Sequence, residues 1–331
     1  MNRSTRNPTH QSLTHGLLFL AMPILALLSL SIGAGQAASP EQLQLVFETL
    51  RIPRLGAALL VGCALGVSGA LMQSATRNVL AEPGLLGINA GAALGVVIGT
   101  AYAGAQSTLS YLPWAAAGAL LGHACVLLIA HATSHHNTPV RLILAGAALS
   151  ATFQGISAII LMNQAANYDQ FRFWELGALS GVTPEALWVT SPACILGILA
   201  ACCMVRPLTA LRLGDDIART LGHNPNTLRT CIVFIVALLA GSALALVGPI
   251  AFLGLLAPFV ARRLAGHRLL HVLLLSGWIG ALLLLLADIA SRTIAQPFET
   301  PASVLIAALG APLLIWMMRT GQLKPKDNSS C

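Results

Sequence analysis

The chain has 331 residues, of which 56% are hydrophobic and only 9% are Asp, Glu, Lys or Arg, against about 25% charged in an ordinary soluble domain. That balance excludes a water-soluble globular protein, and the 30 Gly and 17 Pro lie inside apolar runs, which excludes disordered and collagen-like chains. The formal charge of +7 is carried between runs too continuous for the alternating strands of a β-barrel. The expected class is all-α, a polytopic membrane protein.

The first apolar stretch, 16–34, follows Arg3 and Arg6 and precedes Gly35-Gln36-Ala37-Ala38. This resembles a secretory signal with a small-residue cleavage site, but the stretch is long for that role and more spans follow directly. A retained first transmembrane helix is the better reading. Further runs lie near 54–73, 84–104, 112–131, 140–162, 187–205, 231–247, 249–265, 269–291 and 301–318, most near the ~20 residues that cross a bilayer core. Cys231 to Val260 carries no charge, and as one helix it would be about 45 Å long. Gly248-Pro249 is the expected break, since Pro removes a donor and Gly permits the turn. Two helices are predicted there, the second short.

Charge supports ten spans with both ends in the cytoplasm. Fourteen basic residues then lie inside and four, Arg51, Arg54, Arg172 and Arg292, lie outside, which is the positive-inside bias. Within the spans, Gly87, Gly91, Gly95 and Gly99 recur every fourth residue, and Gly62 and Gly66 share that spacing. Such a stripe either lets another helix backbone approach closely or lines a pathway. The seven cysteines show no CxxC or Cys/His metal spacing and read as small packing residues.

Titratable residues at depth are few. Asp288 stands four before Arg292, so the two can pair on one helix face. His123 is the one histidine near a span's middle, read as a hydrogen-bonded structural residue. An ion-coupled carrier needs a titratable relay near midplane, and an intramembrane enzyme needs a Ser/His, paired-Asp or HExxH constellation. Neither is present in this sequence.

One inner loop is longer and more polar than the rest, RPLTALRLGDDIARTLGHNPNTLR (206–229). Its intermittent leucines and the Gly214-Asp215-Asp216 break predict two short surface helices, with carboxylates at the start of the second. They suit docking of a soluble partner or simple attachment to lipid.

Four stretches together resemble the permease subunits of binding-protein-dependent ABC importers for iron–siderophores, haem and cobalamin, the type II importer fold. They are LRIPRLGAALLVGCALGVSGALMQ (50–73), RNVLAEPGLLGINAGAALG (77–95), LGDDIARTLGHN (213–224), and VGPIAFLGLLAPFVARRLAGH (247–267) followed by LLLLLADIASRTIAQPFETPASVLIAALGAP (282–312). Val79 departs from the family's usual Pro, and Phe259 from its common His. The resemblance implies ten transmembrane helices in a single permease domain over 1–331.

It also implies a non-enzymatic transport subunit, with ferric siderophore as the commonest cargo, then haem, then cobalamin. Its partners would be a second permease (the same chain or a paralogue), two ABC ATPase subunits and an extracytoplasmic substrate-binding protein. No nucleic-acid partner is implied. No Walker phosphate loop occurs here, so ATP and Mg belong to the partner ATPase and this chain is expected to hold no cofactor or metal.

Three sets of residues fall on the family's functional positions. Leu213, Gly214, Asp215, Asp216, Ala218, Leu221 and Gly222 fall on the ATPase coupling segment, where small Ala218 and Gly222 are expected to permit close approach. Asn78, Leu80 and Thr138 fall near the cytoplasmic gate. Arg51, Arg54 and Arg292 fall where acidic residues of the binding protein dock, a role suited to arginine's planar fork. The implied location is the bacterial cytoplasmic (inner) membrane.

Overall fold

The computed structural model describes residues 8–32, 40–132, 139–163, 171–172, 174–266, 268–294 and 299–319. Among them there is no strand, and ten helices occupy the ten apolar runs. In chain order these are α1 (Pro8–Ser31), α3 (Ile52–Thr76), α4 (Ile88–Ala103), α5 (Thr108–Ala132) and α6 (Pro139–Met162). The second half holds α7 (Pro184–Cys203), α10 (Pro225–Val247), α11 (Leu253–Ala265), α12 (Leu269–Ile294) and α13 (Ala302–Arg319). Shorter helices are α2 (Pro40–Val46), α8 (Val205–Leu213) and α9 (Asp215–Thr220). A π-helical turn, Phe47–Arg51, joins α2 to α3.

Local chemistry sets the helix ends. Thr183 Oγ1 accepts the Ala186 N–H and Pro184 takes the first turn of α7. Asn224 and Pro225 do the same for α10, because Pro costs nothing where the N–H has no helical partner. The predicted break after Val247 is present. Gly248 has φ 78° and closes so tightly that an added Cβ would fall 2.1 Å from the Trp174 carbonyl.

The glycines act as packing surfaces. A Cβ on Gly91 would meet the Gly118 carbonyl at 2.3 Å and one on Gly95 the Trp114 carbonyl at 2.1 Å, so the stripe on α4 seats α5 backbone to backbone. On α3, Gly62 lies against Gly280 and Ala281, Gly66 against Ser276, and Gly69 against Gly254. α3 is therefore seated backbone to backbone on both α11 and α12, and α4 on α5. Of the two readings the stripe allowed, close packing is the one realised.

Two helices are shorter than their apolar runs. α4 has 16 residues and α11 has 13, about 24 and 20 Å. The run predicted at 84–104 begins instead with a 3-10 turn at Pro83–Leu86. Gly87 lies against Val126 and Gly122, well before α5 ends at Ala132, so irregular backbone enters the bundle here. α11 likewise starts level with Gly69 rather than at the end of α3. Non-helical backbone at such depth needs partners inside the protein. The Phe252 N–H, at φ 64°, donates to Glu82 Oε1 at 2.7 Å, and Pro83 packs against Gly254.

Candidate functional site

One end of the bundle gathers the inner-loop arginines and is called the basic end. α3 stops at Thr76, and Arg77 turns the chain with φ 53°. Its Nη2 donates to the Leu211 carbonyl and, at 3.0 Å, to Asp215 Oδ1. Asp215 opens α9 and also receives Arg229 Nη2 of α10 at 2.8 and 2.9 Å. One carboxylate thus ties the short surface helices to the ends of two spans. Partial burial works against its charge, but Arg229 and then Arg77 outweigh that and hold the Asp215 carboxyl below its ordinary value.

The segment expected to couple to an ATPase forms two short helices, as predicted, with Asp215 and Asp216 in the first turn of the second. Residues 225–229 belong to α10 rather than to the surface segment. Gly214 links α8 to α9 at φ 142°. Leu213, Ile217 and Leu221 are 64, 43 and 60% exposed, an apolar surface on the outside of the basic end. Asp216 faces outward and pairs with Arg219 at 3.2 Å.

The expectation for the two small residues needs correction. Ala218 is completely buried within this chain, so it presents no approach surface. Gly222 has φ 80° and open space where a Cβ would stand; its smallness serves a left-handed turn, not a tight contact.

At the gate positions, Asn78 Oδ1 accepts the Leu80 N–H at 3.0 Å and the Asn78 carbonyl accepts the Ala81 N–H. This Asx-type turn fixes the chain between Arg77 and Glu82. Thr138 lies outside the described residues, so the pairing of Leu80 with Thr138 is not described.

The opposite end holds Arg51, Arg54 and Arg292. Asp288 and Arg292 pair on α12 as their spacing predicts. Asp288 is 0% exposed, and from α3 Arg54 Nε reaches its Oδ1 at 2.6 Å. Arg54 Nη1 also bridges to Glu299 at 3.0 Å. Arg292 is only 4% exposed and donates to the Ser29 and Ile32 carbonyls at the end of α1. Arg51 Nη1 donates to the Leu30 carbonyl. The three arginines therefore face different elements rather than one open side. Arg292 knits α1 to α12, and Arg51 and Arg54 lie nearer the surface.

Between these ends, a cavity of about 520 Å³ is lined by Ala90 and Ala93 of α4, Gln154, Ser157 and Leu161 of α6, and Glu175 among others. Partial burial pushes the Glu175 carboxyl up from its ordinary value. Between the exposed apolar residues Leu144, Ile156, Ile159 and Met162, α6 exposes Ala148, Ala151, Thr152, Gln154 and Gly155. Small and polar groups on a membrane-length helix are a poor lipid surface but a good one for water, cargo or another helix. His123 is buried in α5 and does not line this cavity.

With this geometry in place, comparison decides the family: the FecCD transport family matches residues 17–320. The chain belongs to the FecCD transport family. It is similar to the ferric enterobactin transport system permease protein FepD of Escherichia coli, 41% identical over 92% of this chain and 94% of the relative. It is also similar to the Fe(3+)-citrate import system permease protein YfmD of Bacillus subtilis, 37% identical over 89% and 91% of the two chains. Among solved structures, a metal-chelate type ABC transporter in an inward-facing conformation superposes with a TM-score of 0.82 at 27% identity, covering 92% of this chain and 97% of that one. As a FecCD family member the chain is a multi-pass membrane permease. Three residues that organise its ends were not singled out in the sequence as bridging groups: Arg77, Glu82 and Glu299. Their partners lie 138, 170 and 245 positions away, so no local pattern marks them.

Proposed function

We propose that this FecCD-family chain is the membrane-spanning subunit of an ATP-driven importer for a ferric chelate of the siderophore class. The reading rests on one observation above others: α6 exposes a stretch of small and polar residues between Ala148 and Gly155 beside the 520 Å³ cavity. Two such faces, from two copies or from a copy and a paralogue, would enclose a pathway wide enough for a chelate. The names of the relatives, ferric enterobactin and ferric citrate permeases, support the cargo class.

In this proposal the basic end faces the cytoplasm of a bacterium, with both termini on that side of the inner membrane. Two separate ATPase subunits, which use ATP and Mg, sit against Leu213, Gly214, Asp215, Asp216, Leu221 and Gly222. Ala218 supports that surface from beneath. Asn78, Leu80 and Thr138 constrict the pathway at the same end. A substrate-loaded binding protein docks outside, its carboxylates reaching Arg51 and Arg54, with Arg292 holding Asp288 in place below them. This chain binds no cofactor of its own and hydrolyses nothing.

The test is uptake of radioactive ferric siderophore by proteoliposomes holding the chain with its ATPase and a lumen-loaded or external ATP supply. Uptake that needs ATP and the binding protein supports the proposal. Uptake driven by a proton or sodium gradient without ATP would overturn it.

A further inference from the structure

A second cavity, of about 310 Å³, opens at the basic end, away from the α6 cavity. It is lined by Ser74 near the end of α3, Arg212 on α8, Arg262 on α11, Gly266 just beyond, and Val272 on α12. Two of these five residues are cationic and none is anionic. Arg262 is half-buried and donates to Gln73 Oε1, a neutral acceptor. Gln73 is 3% exposed, and its Nε2 has no hydrogen-bond partner, so a further donor next to Arg262 is left unused. Among the described residues, Asp215 is engaged by Arg77 and Arg229 and Asp216 by Arg219. Among the described residues neither Arg212 nor Arg262 has an ion pair.

Two guanidinium groups sharing a cavity repel each other, and burial of one adds a desolvation cost. A group with several anionic oxygens removes both penalties, because each arginine fork can take two of them. We propose that this cavity is a binding site for a phosphate-class oxyanion, held between Arg212 and Arg262. Its volume sits at the lower end of small-ligand sites, enough for a phosphorylated headgroup or a small phosphate compound.

Either source has the same chemistry. A free phosphate needs only the arginines. An acidic phospholipid also needs room for its chains, and an apolar cavity of about 940 Å³ adjoins the same corner, lined by Phe19, Leu59, Leu264, His271 and Trp278 among others. Leu264 and His271 flank the α11–α12 corner from which Gly266 and Val272 line the basic cavity. Because α8 leads through Gly214 into α9, an anion here fastens the surface helices to α11 and α12. The inference does not depend on what the chain transports.

The purified full-length chain in detergent is titrated with inorganic phosphate against chloride at equal ionic strength, and thermal stability is followed. In parallel, the chain is passed through nanodiscs of phosphatidylglycerol or phosphatidylcholine and lipid retention is read by native mass spectrometry. Phosphate stabilisation assigns the site to a free anion; selective retention of phosphatidylglycerol assigns it to a lipid headgroup. In either case Arg212→Gln, at an exposed position, should weaken binding about tenfold or more, as expected for loss of a charged donor. Arg262→Lys should weaken it less. Equal behaviour of phosphate and chloride together with equal retention of the two lipids, or binding unchanged in Arg212→Gln, would overturn the proposal.

Discussion

Asp215 stands 3.0 Å from Arg77, so the residue that opens α9 is fastened to the residue that closes α3. Arg229 holds the same carboxylate from α10. The surface helices can therefore report movement of two spans at once. Because the folded carboxyl has a lowered pKa, its contribution is present above the ordinary carboxylate range and is lost as pH falls through the folded value. A spin label at Ile217→Cys, in a chain freed of its other cysteines, should stay immobile from pH 7 down to about pH 4 and loosen below that. With Asp215→Asn added, the label should be mobile throughout. Equal mobility at pH 7 with and without that change would show that the bridge does not hold the segment.

Exposed Leu221 and buried Ala218 should respond in opposite ways. Leu221→Asp should leave the stability of the isolated chain within about 0.5 kcal/mol of the parent while reducing co-purification of the ATPase. Ala218→Leu should destabilise by about 1–3 kcal/mol through overpacking. Thermal melts of the chain alone, set beside pull-downs with the ATPase, separate the two effects.

Arg292 and Arg51 should also differ. Arg292→Ala removes one of two cations from a fully buried Asp288, and a broken buried pair costs about 3–5 kcal/mol. Arg51→Ala loses one bond to a carbonyl, worth about 1.5–3 kcal/mol at most. Arg51→Glu should weaken binding-protein stimulation of the ATPase while Arg292 stays intact. Melting curves and stimulated hydrolysis rates check each half. Stimulation unchanged in Arg51→Glu would remove Arg51 from the docking surface.

The glycine contacts make the sharpest stability prediction. A Cβ at Gly69 would lie 1.8 Å from the Gly254 carbonyl, whereas Gly155 has nothing within 4 Å. Gly69→Ala should force α3 and α11 apart and cost about 3 kcal/mol or more. Gly155→Ala should leave stability unchanged or raise it slightly, since alanine favours a helix. Detergent melts of both variants measure the difference.

Much of this architecture was legible from local patterns. Gly248-Pro249 marked the break because both residues act on their own peptide units, and Asp288 found Arg292 because one helical turn separates them. The starts of α4 and α11 were less legible, since hydrophobicity does not distinguish helix from buried irregular backbone. Ala218 and Gly222 misled for a related reason. A six-residue helix is too short for a period to show which face is inward, and a glycine needed for its φ looks the same as one needed for its size. The pairing of Arg54 with Asp288 and Glu299 was not legible, because those partners lie 234 and 245 positions away.

The glycine joints also fix how this bundle can deform. Where two backbones touch without side chains between them, there are no rotamers to absorb a slide, so α3 with α12 and α4 with α5 each behave as a stiff plank. α6 has no comparable seam along its exposed face. Any change of shape that opens one end and shuts the other must then be carried by tilting whole planks against α10, which packs on both α3 and α5, with α6 riding on the α4–α5 plank.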